Sequence, residues 1–282
     1  MDDLPDIQKT PDTRGVAIQA VGVSGIRVPI RLKTYDQEPA IPQHTVAEFS
    51  MGVYLDHTVK GTHMSRFSQV LMEFLTRKDA LVEDFNIASL HEEVCNRLFS
   101  PEADIKAKFA YFVTQYAPET KTVGIAPVEV VLEIAGSIVA PIETTTVIVH
   151  GKTVCPCSRE ISEFDDLTGK GKGAHAQRST ITLSVSHDPK FFIKFEDLIA
   201  VAQKSFSSPV YPVLKRPDER AVTMSAYDNP KFVEDVIRDV VVNLRAWNQQ
   251  QPSSGAHWFT VRVENAESIH YHDAYAELTG EL

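Results

Sequence analysis

Between residues 45 and 55, Ala47, Phe49, Met51, Val53 and Leu55 fall at every second position. Only an extended strand turns such a set to one side, so this segment must be a strand with one buried face. Something else in the chain has to cover that face. The period then changes: Phe67, Val70, Leu71, Phe74 and Leu75 share one helical face, and Ile87, Leu90, Val94 and Leu98 share another behind the possible cap Asn86. Alternation returns in Ile105, Ala107, Phe109, Tyr111 and Val113, and the β-branched runs 128–134 and 142–149 continue it. With the β-rich runs 16–23 and 25–32, the first half reads as strands, a helix pair, then strands.

The second half repeats that order. Residues 179–186 alternate through Ile181, Leu183 and Val185, and helices are expected at 195–206 and 230–247. The latter has Pro230 in its first turn and a broad stripe of Phe232, Val233, Val236, Ile237, Val240, Leu244 and Trp247. A last strand at 258–264 precedes a His-rich tail. The expectation is an α+β chain of two similar halves, about 15–150 and 151–282, without a residue-level repeat, behind a polar, mobile arm at 1–14.

A chain of 282 residues hides roughly 75% of its unfolded surface, enough for a large core. No apolar run reaches the ~18 residues of a membrane helix, and Met1-Asp2-Asp3 is not a secretory start, so the expected location is cytoplasmic. Cys95, Cys155 and Cys157 cannot form a disulfide framework, and free thiols fit a reducing compartment. A net charge of -10 repels a nucleic-acid backbone, so a phosphorylated ligand has to be small and met by a local cluster of Lys and Arg.

Cys155-Pro156-Cys157-Ser158 follows a strand end, where a scaffold holds a thiol rigidly. Spacing alone leaves two readings open, a buried turn with two small hydrophobes or one thiolate of a catalytic metal site. A structural zinc site needs four ligands at paired spacing, and no second cysteine pair exists. His175 and Glu219 could complete a catalytic set, and each alone also reads as a surface group. Glu234 sits among Phe232, Val233, Val236 and Ile237, where it either caps a helix or accepts two N–H bonds from a purine edge. His270 and His272 share one side of an extended segment and suit proton transfer, as they also suit a solvated tail.

Six blocks in order carry a resemblance: Gly61-Thr62-His63-Met64-Ser65-Arg66-Phe67, Cys155-Pro156-Cys157-Ser158-Arg159-Glu160-Ile161-Ser162, Gly173-Ala174-His175, Tyr211-Pro212-Val213-Leu214-Lys215-Arg216-Pro217-Asp218-Glu219, Asn229-Pro230-Lys231-Phe232-Val233-Glu234-Asp235 and Glu267-Ser268-Ile269-His270. From about Asp6 onward the chain resembles the type IB GTP cyclohydrolases. The resemblance implies the tunnelling fold, in which antiparallel sheets backed by helix pairs, two tandem units per chain, assemble into a barrel. It also implies a homotetramer with active sites between subunits.

The implied roles are a divalent metal (Zn²⁺, Mn²⁺ or Fe²⁺) on Cys155, His175 and Glu219, and the guanine ring on Glu234. Proton transfer falls to His270 or His272, and the triphosphate to Arg66, Arg178, Lys215 and Arg216. Cys157 and Glu267 stand beside the metal without binding it. Water activated by the metal would attack C8 of GTP, releasing formate and giving 7,8-dihydroneopterin triphosphate, the entry compound of folate synthesis. The chain departs from the family in a longer linker at 163–172 and in Ala176, where Asn usually follows the histidine. The alternatives are a cyclic-phosphate product, a tunnelling-fold nitrile reductase needing no metal, and a purine-binding module without chemistry.

Overall fold

The computed structural model describes residues 7–35, 42–76, 86–164, 173–251 and 255–282. β1 (Ile18–Lys33) and β2 (Pro42–Leu55) pair antiparallel, with a register shift between Val23 and Ile26. Gly25 at that bulge takes φ +74°, a left-handed conformation that glycine adopts without steric cost. The two β-rich runs are therefore one strand bent at a glycine. β2 pairs antiparallel with β3 (Glu102–Tyr116), and Ala47, Phe49, Met51, Val53 and Leu55 are all buried.

The cover for that kind of apolar face is a helix pair. α1 (Met64–Thr76) buries Phe67, Val70, Leu71 and Phe74, and α2 (Ile87–Leu98) buries Ile87, Leu90, His91, Val94 and Cys95. Each large apolar side chain so buried stabilises the fold by about 1.5–3 kcal/mol. Asn86 starts α2 as its pattern predicts, its side chain accepting the Ser89 N–H at 3.0 Å.

Further along come β4 (Val123–Ser137), β5 (Ile142–Val154), α3 (Pro156–Phe164), β6 (Ala176–His187), α4 (Phe195–Ser205) and the two-residue β7 (Ser208–Pro209). They are followed by α5 (Arg216–Asp228), α6 (Val233–Asn248), β8 (Ala256–Ala266) and β9 (Ala274–Glu281). Among the described residues the strand order is β1-β2-β3-β4-β5-β6-β8-β9, with β7 on β5. α6 packs on α4, β8 and β9, and its stripe from Val233 to Leu244 is buried. Gly151 lies beneath the Phe206 ring, where a Cβ would stand 2.1 Å from a ring carbon.

Several expectations need correction. α6 begins at Val233, so Pro230 lies outside it; Asp235 caps it instead by accepting the Phe232 N–H at 3.0 Å. α3 and α5 are helices that no apolar stripe announced, and β9 follows the His-rich segment expected to be a tail. Residues 165–172, most of the long linker, lie outside the described residues, as do 1–6 of the expected arm. The rest of that arm is tied down: Thr10 and Asp12 exchange backbone hydrogen bonds with Lys60 and Thr58, and Gln8 donates to the Thr62 carbonyl at 2.9 Å.

The chain divides into two compact units that do not follow the sequence halves. The first is Met1–Ala110, Val131–Thr144 and His187–Lys190, and the second is Tyr111–Val130, Thr145–Ser186 and Phe191–Leu282. No helix among the described residues is long and apolar enough to cross a membrane.

Candidate active site

All the residues singled out for chemistry except Arg66 fall in the second unit. There the β5–β6 ladder decides what meets what. Thr146 Oγ1 lies 2.8 Å from Ser184 Oγ, and His150 Nδ1 lies 3.0 Å from Thr180 Oγ1. Continued in the same register past the end of β5, that pairing sets Cys155 opposite His175, and the Cys155 N–H donates to the His175 carbonyl at 3.1 Å. Two residues 20 positions apart in sequence become direct neighbours through strand pairing alone.

Each is then oriented. α3 starts at Pro156, so the Cys155 sulfur stands at a helix N-terminus and receives the Ser158 N–H at 3.4 Å. Amide dipoles aimed at sulfur favour negative charge on it, the form in which cysteine binds metals. The Ser158 hydroxyl accepts the His175 N–H at 3.1 Å. His175 Nδ1 is 3.0 Å from Oε1 of the buried Gln177, so with the amide oxygen accepting it carries the proton, and Nε2 is the ring nitrogen that could face a metal. Gln177 supplies the ring partner that Ala176, with its methyl group, cannot.

Glu219 lies in the first turn of α5, exposed, its N–H on the Lys215 carbonyl at 2.9 Å. That turn is fixed by Asp218, whose buried carboxylate accepts the Lys215 and Glu119 N–H groups at 2.9 Å, the Thr120 N–H at 2.8 Å and the Thr120 hydroxyl at 2.7 Å. Burial alone would raise its pKa, but the hydrogen bonds win and hold it well below the usual carboxylate range. Lys215 and Arg216 are exposed beside it.

α3 and α5 are clamped together. Arg159 donates to the Tyr227 carbonyl at 2.9 Å and stacks 4.7 Å from the Tyr227 ring centroid, while the Tyr227 hydroxyl donates to Glu163 at 2.6 Å.

Glu234 is exposed in the first turn of α6. His270 and His272 stack with ring centroids 4.9 Å apart in the connection between β8 and β9, both exposed, and Glu267 is half-buried at its start. Cys157 is exposed on α3. Arg178 is exposed on β6, and its charge adds to partial burial in lowering the pKa of His150. Arg66 stands on α1 in the first unit. Cys155 and His175 are thus brought together, whereas no three His, Cys, Asp or Glu side chains among the described residues are close enough to hold a metal ion. The donor set fits a metal in part, with one oriented sulfur and one oriented nitrogen.

The family model for type I GTP cyclohydrolase FolE2 matches residues 4–276, nearly the whole chain and every element from β1 to β8. This chain belongs to that family. Curated GTP cyclohydrolase FolE2 proteins agree with it along their length. That of Syntrophobacter fumaroxidans is 41% identical over 274 residues, covering 96% of this chain and 97% of its own. The protein of Nitrosococcus oceani is 40% identical over 280 residues, covering 99% and 96%, and that of Thiobacillus denitrificans 38% over 279, covering 97% and 93%. Among solved structures, a hyper-thermostable AgUricase mutant superposes with a TM-score of 0.55 at 8% identity, covering 94% of this chain and 92% of its own. At that identity the likeness is one of fold, an α+β chain built on an antiparallel sheet.

For this member of the FolE2 family, sequence reasoning missed Gln177, Asp218 and the Arg159–Tyr227–Glu163 clamp. Gln177 had a signal, since two residues beyond His175 on a strand is the same face. Asp218 had one too, following a proline at a helix start. The clamp had none, because it joins side chains 64 and 68 residues apart.

Proposed function

We propose that this chain is a divalent-metal-dependent GTP cyclohydrolase of the type IB subclass. It opens the guanine imidazole ring at C8, releases formate and forms 7,8-dihydroneopterin triphosphate for tetrahydrofolate synthesis. The observation that carries the reading is the β5–β6 register, which delivers an N-terminally oriented sulfur beside a histidine whose Nδ1 is already occupied by Gln177. Cys155 and His175 would hold the metal with Glu219 as third ligand, and Zn²⁺, Mn²⁺ and Fe²⁺ all accept such donors. A metal bound there supplies Lewis acidity that activates water for addition at C8.

The remaining work falls to the chain's own side chains. Glu234, at the start of α6, accepts the guanine N–H groups and sets C8 toward Cys155. Lys215 and Arg216 at the start of α5, with Arg178 and Arg66, meet the triphosphate. His270 or His272 moves protons to and from the imidazole nitrogens as C8 leaves as formate and the ring recloses. Cys157 and Glu267 orient groups at the site. Exposure of Glu234, His270 and His272 in a single chain supports a site completed by a second copy, in a cytoplasmic homotetramer of two tandem units per chain closing into a barrel.

Purified protein given GTP with Mn²⁺ or Zn²⁺ is expected to release formate and yield a pterin that fluoresces after oxidation. Product mass separates the linear triphosphate from a cyclic phosphate. Absence of formate with every divalent metal tried would sink the reading.

A further inference from the structure

Lys231 is a buried cation for which the chemistry above has no use. The residue is 9% exposed, and its ammonium donates to the Ser205 carbonyl at 3.0 Å and pairs with Asp239 at 2.7 Å. Taking an ammonium out of water costs several kcal/mol, so a cation in this position calls for a reason beyond packing. Ser205 ends α4, where the helix dipole favours positive charge, and its hydroxyl receives the Asn243 amide at 3.0 Å.

The segment that Lys231 anchors reaches directly to the reactive cysteine. The Lys231 N–H donates to the Val154 carbonyl at 3.0 Å, and the Val154 N–H donates to Ser207 Oγ at 3.2 Å. The Asn229 amide holds the carbonyls of Phe206 and Ser207, both at 3.2 Å. Both backbone groups of Val154, the residue before Cys155, are therefore held by this network. Three residues beyond Lys231 stands Glu234. One brace thus touches the strand end that presents the sulfur and the helix start that presents the carboxylate.

We infer that Lys231 is a positioning residue that, with Asn229, fixes Cys155 relative to Glu234, so that C8 of a guanine held by Glu234 stands at the reacting centre. The inference rests on the cyclohydrolase reading. A displacement of about 1 Å between bound ring and reacting centre costs on the order of 10²-fold in rate. Binding of the ring by Glu234 is unaffected by the same displacement.

The test uses metal-loaded full-length protein and four variants, Lys231→Met, Lys231→Arg, Asn229→Ala and Asp239→Asn. Formate release gives kcat, and GTP binding to the metal-free forms is measured by calorimetry. Lys231→Met is expected to lose on the order of 10²-fold in kcat with GTP affinity within about threefold of wild type. Asn229→Ala should lose about tenfold in the same manner, and Lys231→Arg should recover part of the loss. Asp239→Asn keeps the Ser205 bond and should stay within about twofold.

Unchanged kcat in both Lys231→Met and Asn229→Ala overturns the inference. So does a parallel fall of kcat and GTP affinity that tracks a smaller folded fraction by circular dichroism, since that is a merely structural role. If Lys231→Met does not fold, Asn229→Ala decides alone. A wild-type enzyme that releases no formate removes the cyclohydrolase reading and this inference together, an outcome distinct from an active wild type with active variants.

Discussion

In the first unit, Cys95 Sγ lies 3.9 Å from His91 Nε2, and in the second the backbones of Cys155 and His175 are hydrogen-bonded at 3.1 Å. Both are cysteine–histidine neighbourhoods, and their surroundings give them different chemistry. His91 is buried with Nε2 within 3.0 Å of the Ala103 carbonyl and 3.1 Å of the Gly136 carbonyl, so that nitrogen has nothing left to offer a metal. Burial, with the charges of Asp104 and Glu102, pushes the Cys95 thiol up to about 11. The sulfur of Cys155 instead meets an amide N–H at a helix start, and Gln177 engages His175 through Nδ1 and not Nε2. Composition does not separate the two; depth and hydrogen-bond direction do.

Removing each sulfur tests that contrast with the largest effect. Cys155→Ala is expected to lose metal and several orders of magnitude in turnover, as when one member of a catalytic unit is deleted. Cys95→Ala should keep kcat within about twofold and lose about 1 kcal/mol of stability for the small cavity. Formate assays, metal analysis and urea unfolding on the pair read this out. Comparable turnover in the two variants would erase the distinction.

The histidines should show the same division. His91→Leu leaves two carbonyls buried without their donor, at about 1–3 kcal/mol each. Its urea midpoint should fall while metal content and kcat per folded molecule stay near wild type. His175→Leu should unfold close to wild type and bind metal weakly. A stable His91→Leu protein would mean that those carbonyls find other donors, and the first neighbourhood would lose its structural role.

The same contrast explains what could be read from the sequence. α1, α2 and α6 are written in apolar stripes because the core they cover selects those positions, and the alternation in 45–55 is written for the same reason. α3 buries no residue, its Ile161 and Phe164 being 75% and 83% exposed, and α5 buries only Asp218 and Ala226. Such helices rest on what happens at their ends and in the Arg159–Tyr227 clamp, which leaves no periodic trace. β9 is mostly exposed and escaped for the same reason. Cys155 was legible as a candidate ligand only with its companion motifs, and its pairing with His175 depends on a strand register that no local pattern records. The regions hardest to read are ones to which the proposed chemistry is assigned, because their residues are placed by hydrogen bonds and not by burial.

Two carboxyls, one buried and one half-buried, extend the contrast to ionisation. Asp218, in the second unit, is surrounded by donors and held ionised. Glu143, in the first, has its pKa raised by burial to about 7. His187 Nε2 lies 4.0 Å from Glu143, and Nδ1 of that ring lies 3.0 Å from the Asp188 carbonyl. A carboxyl whose folded pKa lies above its unfolded value binds its proton more tightly in the fold. Its contribution to stability is full below the unfolded value of about 4.5 and is lost as pH rises through about 7. Wild-type stability, measured against Glu143→Gln, should therefore fall by up to about 3 kcal/mol between pH 4.5 and 7 and run level above it. Urea unfolding of both proteins at four pH values across that window gives the difference directly. Parallel curves would show that water or His187 compensates the charge, and that the first unit is no drier around its carboxyl than the second.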